Sequence, residues 1–150
     1  MNKQISTSTS SILNGLIETC KDGQEGFQHA AAHVANPQLK SIFERFSKQR
    51  AHFFTQLQTA VRSLGQEAGA TSSVAGALHR GWIDLKSAIT SQDERAILAE
   101  CERGEDSAVS QYRNALDEDL PADLRSLLID QYGHVQKAHD EIKLLRDVSA

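Results

Sequence analysis

Four stretches of the chain carry apolar residues at every third or fourth position, over about 25 residues each. They begin near Leu13, Leu39, Ile97 and Leu124. This spacing places the apolar side chains on one face of an α-helix, and a helix of that length would be about 38 Å long. No stretch alternates β-branched and polar residues as a half-buried strand would. Four amphipathic helices of matched length predict an all-α four-helix bundle.

The connections between these segments predict how the helices are joined. Very few residues separate the first segment from the second and the third from the fourth, which is typical of antiparallel helix hairpins. Residues 66–92 form a long crossover between the hairpins, and 74–90 within it read as a short fifth helix. Two hairpins joined by a long crossover make the ferritin-like arrangement. We therefore expect one ferritin-like domain over 1–150, with a flexible segment at 1–9.

Capping signals indicate where three of the helices begin. Asn36 followed by Pro37 predicts an N-cap with proline at the first helical position. Ser91 and Glu94 have the spacing of a capping box. Pro121 marks the start of the last helix in the same way, with Asp119 as its expected cap.

Charge and composition exclude several classes of protein. The formal net charge of −4 argues against a nucleic-acid partner, because phosphate contacts need a basic face. No apolar run approaches the roughly 20 residues of a membrane span, and the N-terminus lacks the apolar stretch of a secretory signal. Two cysteines do not make a disulfide framework. The expected location is the cytoplasm, with no membrane contact.

Three strings carry a resemblance to a known family: LNGLIETCKDGQEGF at 13–27, SVAGALHRGWIDLKSAI at 73–89 and ECERGEDSAV at 100–109. They resemble an uncharacterised bacterial family of four-helix bundles, a domain of unknown function within the ferritin-like superfamily. The resemblance extends over nearly the whole chain. It implies the bundle fold, and it implies no particular reaction because none is assigned to the family.

The inward-facing polar residues can be tested against a ferritin-like di-iron site. Such a site needs a glutamate on each of two helices and a Glu-x-x-His pair on each of the other two. The helical periodicity instead predicts a central layer of Gln24 or Cys20, Arg50, Glu105 and Gln131. His134 lies to one side of this layer. Arg50 is a permanent cation at a ligand position and would repel metal ions. We expect a buried polar layer in which Arg50 pairs with Glu105 and the glutamines complete the hydrogen bonds.

A metal-binding alternative stays open on the sequence alone. Glu105 and His134 have suitable types and directions for a degenerate or single-metal site binding iron or manganese. Glu25 and Glu18 are further candidates, although the periodicity favours a solvated surface for both. A π-bulge or a helix rotation at Gly23 or Gly26 would turn Glu25 inward. The favoured interpretation has no metal or other cofactor.

The crossover offers a second candidate region. Trp82 is its largest apolar side chain, with His79 and Arg80 close by. One interpretation is that Trp82 packs against the bundle. The other is a partner-binding or dimer face, because exposed aromatic residues and arginines are favoured anchors at interfaces.

No motif for catalysis stands out. The chain has no nucleophile elbow, phosphate loop, dinucleotide fingerprint or zinc-type Cys-His spacing. The sequence therefore favours a non-enzymatic helical-bundle protein of unknown role, metal-free, acting through its surface or as a small homo-oligomer. The alternative is a ferritin-like protein that binds or oxidises iron or manganese. Arg50 discriminates between the two, since a di-metal centre has no use for a cation at a ligand position.

Overall fold

Five α-helices and no strand make up the part of the chain that the structure describes. The structure is a computed structural model that describes residues 2–65, 82, 84–91 and 93–148, with side chains from Thr9 onward. The helices are α1 (Asn2–His33), α2 (Pro37–Ser63), α3 (Leu85–Ser91), α4 (Glu94–Leu116) and α5 (Ala122–Val148). None of these helices is apolar over a stretch long enough to cross a bilayer.

The four long helices pair as two hairpins, as the short connections predict. Residues 34–36 join α1 to α2, residues 117–121 join α4 to α5, and α1 also packs on α4. The segment 1–9, expected to be flexible, belongs to α1 from Asn2 onward. Of the predicted crossover 66–92, the structure describes Trp82, Asp84 and α3, and 66–81, 83 and 92 lie outside the described residues.

The caps agree with one prediction and correct another. Asn36 Oδ1 accepts hydrogen bonds from the backbone N–H groups of Gln38 at 2.8 Å and Leu39 at 3.3 Å, with Pro37 as the first helical residue. For α4, the cap is Asp93, which accepts from the N–H of Arg95 at 3.0 Å. The predicted Ser91 cap is wrong because Ser91 is the last residue of α3.

Apolar side chains form two core clusters, one in each half of the bundle. The first cluster runs from Leu13 on α1 through Leu57 on α2 and Tyr112 on α4 to Leu128 on α5. The second contains Phe27, Phe43, Ile97 and Ile142, together with Trp82 and α3. The start of α1 therefore lies beside the end of α2, the end of α4 and the start of α5. This is the up-down-down-up order that two hairpins joined by a crossover require.

Candidate functional site

A buried ion pair lies between the two core clusters. The guanidinium of Arg50 on α2 donates to both carboxylate oxygens of Glu105 on α4, with Nη1 to Oε2 at 2.6 Å and Nη2 to Oε1 at 2.5 Å. The side chain of Arg50 is 1% exposed and that of Glu105 is 0% exposed. A planar guanidinium matches a carboxylate in this two-point geometry, which fixes both the distance and the orientation of the two helices.

The chain makes room for the guanidinium at Gly23 on α1. A Cβ atom at Gly23 would lie 3.1 Å from Nη1 of Arg50 and 3.2 Å from its Cγ. The other face of the guanidinium approaches the ring of Phe27, with Cζ at 5.6 Å from the centroid. Burial alone would lower the pKa of Arg50, but the charge and hydrogen bonds of Glu105 outweigh burial and raise it. The guanidinium of Arg50 therefore keeps its charge inside the bundle.

A second polar chain crosses the bundle beside this pair. The hydroxyl of Tyr112 donates to Oε1 of Gln131 at 2.7 Å and lies 3.2 Å from Sγ of Cys20. Nε2 of Gln131 in turn donates to Oε1 of Gln56 at 2.9 Å. Four side chains, one from each long helix, are thus linked through hydrogen bonds in the core. These hydrogen bonds stabilise the fold, because leaving a buried polar group without a partner lowers the free energy of unfolding.

The Cys20 thiol and the Tyr112 hydroxyl of this hydrogen-bonded network both stay protonated at neutral pH. Burial raises the pKa of the Cys20 thiol to about 11, although the hydrogen bond with Tyr112 opposes the shift. Burial and the neighbouring Cys20 raise the pKa of Tyr112 well above its ordinary value. A thiol in this state is a poor nucleophile, because the thiolate is the reactive form.

The structure brings together most of the predicted polar layer, with one correction. Arg50 and Glu105 form the expected contact, and Gln131 is buried and hydrogen-bonded. Gln24 is the exception: it is half-buried on the wall of a groove between α1 and α2. The reason is that Gly23 and Phe27 face the interior at this level of α1, which turns Gln24 to the side.

Sequence reasoning missed two members of the layer. Neither Tyr112 nor Gln56 is among the residues that the sequence singles out. Tyr112 carried a signal that could have been used, because a buried tyrosine hydroxyl normally finds a hydrogen-bond partner. Gln56 gave no such signal, since it is only half-buried and glutamine is common on exposed helix faces.

The four residues of the metal alternative do not converge among the described residues. Glu105 is held by Arg50, while the side chain of His134 is 51% exposed and lies 3.8 Å from Asp130. Glu25 lines a cavity between α1 and α3, and Glu18 is a separately buried residue of α1. The π-bulge that would turn Glu25 inward is not present, since α1 is α-helical throughout.

Trp82 fills a gap between two helical glycines. A Cβ atom at Gly26 on α1 would lie 2.5 Å from Cε3 of the indole, and one at Gly104 on α4 would lie 2.6 Å from Nε1. The ring packs edge-on against Phe27, with centroids 5.2 Å apart, and Trp82 is 6% exposed. The packing interpretation of Trp82 therefore fits, and an exposed anchor at Trp82 does not. The other residues of the predicted partner-binding face, His79 and Arg80, lie outside the described residues.

A surface cluster lies on the opposite side of α4. Ligand-type atoms of Glu102, Asp106 and His139 lie within 4.8 Å of one another, and among the described residues this is the only such group of three. Nε2 of His139 is 2.5 Å from Oδ1 of Asp106, and Nε of Arg146 is 2.5 Å from Oε1 of Glu102. Burial lowers the pKa of His139, but hydrogen bonds with Asp140 and Asp106 outweigh burial and raise it. The sequence analysis did not single out His139.

Comparisons with known proteins agree with this architecture. A family model described as domain of unknown function DUF2383 matches residues 8–118. A comparison with functionally curated proteins found no match. Among solved structures, a mutant of Dps1 from Mycobacterium smegmatis is similar, with a TM-score of 0.82 and 16% sequence identity over 97% of this chain and 99% of that chain. At this identity the similarity shows the fold alone, which is an all-α, ferritin-like fold.

Proposed function

This chain belongs to the DUF2383 family, and we propose that it is a non-enzymatic member of the ferritin-like fold that acts through its outer surface or as a small oligomer. The observation that carries the proposal is the two-point ion pair between Arg50 and Glu105 at the centre of the bundle. In this layer a ferritin-like metal protein would hold carboxylate and imidazole ligands. Here the carboxylate is already neutralised by a guanidinium.

Opening this pair to admit a metal ion would be unfavourable. Neither side chain is more than 1% exposed, so a freed guanidinium would stay buried without its counter-charge. Leaving one partner of a buried pair unpaired costs about 3–5 kcal/mol. A cation placed on Glu105 would also lie close to the positive charge of Arg50, which adds repulsion. These costs support an interior that is structural rather than reactive.

The outer surface offers apolar side chains that a partner would cover. Ile129, Leu144 and Val148, all on α5, are 54%, 62% and 71% exposed. They are the large hydrophobic residues that lie exposed within the described part of the chain. Leu144 and Val148 are four residues apart and so lie on one face of α5, where they would bury apolar area in a contact between copies.

Metal loading tests the interior part of the proposal. The metal-free protein is incubated with Fe(II) or Mn(II) without oxygen, unbound metal is removed, and bound metal is measured by elemental analysis. We expect equal amounts in the wild type and in a double variant, Arg50→Met with Glu105→Leu, which removes the interior carboxylate. An interior di-metal centre would bind about two equivalents per chain in the wild type and lose them in the double variant.

Sedimentation velocity tests the surface part. We expect the wild type to shift toward larger species as concentration rises, and Leu144→Lys to reduce that shift. Glu44→Lys, which also changes an exposed helical residue, is the matched control and should leave it unchanged. A protein that stays monomeric at every concentration would contradict the oligomer and leave only surface binding to other partners.

A further inference from the structure

We propose that Glu102, Asp106 and His139 form a surface site for one divalent transition-metal ion of the zinc, manganese or ferrous class. The site is separate from the interior layer and independent of the proposed function. Two observations support it. Donor atoms of three side chains from two helices lie within 4.8 Å of one another, and the histidine is oriented by a carboxylate outside the cluster.

The helix geometry explains the convergence. Glu102 and Asp106 are four residues apart on α4, so their side chains lie one above the other on one face. His139 approaches from the neighbouring helix α5, with Nε2 2.5 Å from Oδ1 of Asp106. The hairpin of α4 and α5 holds both helices in register, which brings the three donors together before any ligand binds.

The second nitrogen of His139 supplies independent support. Nδ1 of His139 lies 3.2 Å from Oδ1 of Asp140, which is not a member of the cluster. Histidines that bind metals usually donate their other N–H to a carboxylate or carbonyl, because this sets the tautomer and the ring orientation. Without an ion, Nε2 donates its proton to Asp106. A metal ion would displace that proton, while the N–H of Nδ1 stays on Asp140 and keeps the ring aimed at the cluster.

Burial at the cluster is intermediate, which suits a binding site. The side chains of Glu102 and His139 are 15% and 16% exposed, and that of Asp106 is 61% exposed. The ion therefore has a route from solvent through Asp106, while the other two donors are held by their surroundings. Glu102 has a competing cation in Arg146, whose side chain is 36% exposed. For an ion to bind Glu102, Arg146 must leave it, and the partly exposed side chain of Arg146 borders solvent into which it would move.

The donor set selects the class of ion. One imidazole nitrogen and two carboxylate oxygens suit zinc, manganese and ferrous ions, with water in the remaining positions. Magnesium prefers six oxygen ligands in a near-octahedral arrangement and is not expected to compete. The imidazole is thus the ligand that separates the expected ions from magnesium.

Calorimetric titration with Zn²⁺ tests the site, at about pH 8 so that the proton on His139 competes least. We expect about one equivalent to bind to the wild type. His139→Ala and Asp106→Asn should each weaken binding at least about tenfold, and the carboxylate contact predicts a similar loss for Asp140→Asn. Arg146→Met removes the competing cation and should tighten binding, a direction that a merely structural role would not give.

Two controls make the result specific. His134→Ala removes another exposed histidine beside an aspartate, Asp130, that has no third donor in reach among the described residues. It should leave the affinity unchanged, as should the double variant Arg50→Met with Glu105→Leu. Equal affinity in the wild type and His139→Ala would overturn the proposal, and so would equal losses in His139→Ala and His134→Ala. Loss of Zn²⁺ affinity only in the variant Arg50→Met with Glu105→Leu would also overturn the proposal, because the ion would then bind in the interior.

Discussion

The two sides of α4 carry similar chemical groups in opposite surroundings. On the inner side, Glu105 is 0% exposed and is bound at two points by Arg50. On the outer side, the neighbouring residue Asp106 is 61% exposed and shares a hydrogen bond with His139. Both are carboxylates paired with a basic group. The difference in burial determines whether the pair can open. Separating the inner pair would leave an unpaired charge in the core, whereas the outer groups can exchange partners with solvent or an ion.

The inner side of α4 is also packed more tightly. Gly104 lies against the indole of Trp82 without room for a methyl group, and Tyr112 belongs to the hydrogen-bonded chain with Cys20. On such a face a change in the volume or charge of one side chain disturbs the packing of several helices. Substitutions on the inner face should therefore cost more stability than equivalent substitutions on an outer face.

The largest expected effect is from breaking the inner ion pair on one side only. Arg50→Met leaves the Glu105 carboxylate buried without a counter-charge, and we expect the free energy of unfolding to fall by about 3–5 kcal/mol. Urea denaturation followed by circular dichroism measures it. Arg45→Met is the matched control on the same helix, because Arg45 forms an exposed pair with Glu141. It should cost about 1 kcal/mol or less. Equal losses in the two variants would end the contrast between buried and exposed pairs.

Alkaline pH tests the inner side through Cys20. The pKa of its thiol is raised from 9.0 to about 11 in the folded protein. The unfolded chain therefore loses this proton first, so the stability contribution is intact below the unfolded pKa and is lost as pH rises toward the folded one. When the pH reaches the pKa of Cys20 in the folded protein, we expect this group to have lowered the free energy of unfolding by about 2–3 kcal/mol.

The control for this pH dependence is Cys20→Ala, which removes the group. Urea denaturation at several pH values above 8 should show a shallower alkaline loss in the variant than in the wild type. Parallel pH profiles for the two proteins would contradict the assignment of the alkaline loss to Cys20.

Gly104→Ala tests the tight packing of the inner side. The added methyl group would overlap the indole of Trp82, and we expect a cost of about 1–3 kcal/mol. Trp82 is the single tryptophan of the chain, so its fluorescence should shift to the red as the ring is displaced. Gly15→Ala is the control: a Cβ atom there meets nothing within 4 Å, so the variant should be neutral or gain up to about 1 kcal/mol from helix propensity. A Gly104→Ala protein as stable as Gly15→Ala would show that the indole is loosely held.

The sequence is sufficient to predict the fold and the central ion pair, because both depend on helical periodicity. Apolar residues every three or four positions define the four helices, and the same periodicity turns Arg50 and Glu105 inward. A buried arginine then needs a buried carboxylate, which leaves few choices of partner.

Other features depend on information that periodicity does not carry. The position of Gln24 follows from a rotation of α1 by a fraction of a turn, which a helical wheel resolves poorly. The surface cluster depends on the register of α4 against α5, since Asp106 and His139 are 33 residues apart in sequence. Sequence spacing within one helix indicates i, i+4 pairs, but it does not indicate which residue of a neighbouring helix lies opposite.

The smallest expected effect comes from replacing the inner ion pair as a whole. In the double variant Arg50→Met with Glu105→Leu, no charge is left stranded, and apolar side chains of similar size fill the layer. Such replacements are often neutral or stabilising, so we expect a free energy of unfolding close to that of the wild type or above it. Because Arg50→Met alone should lose about 3–5 kcal/mol, the second substitution should restore stability, and the difference measures the coupling between the two residues. A double variant as unstable as the single one would show that Arg50 contributes mainly through its packing against Gly23 and Phe27. In that case the ion pair itself would contribute little to the stability of the interior.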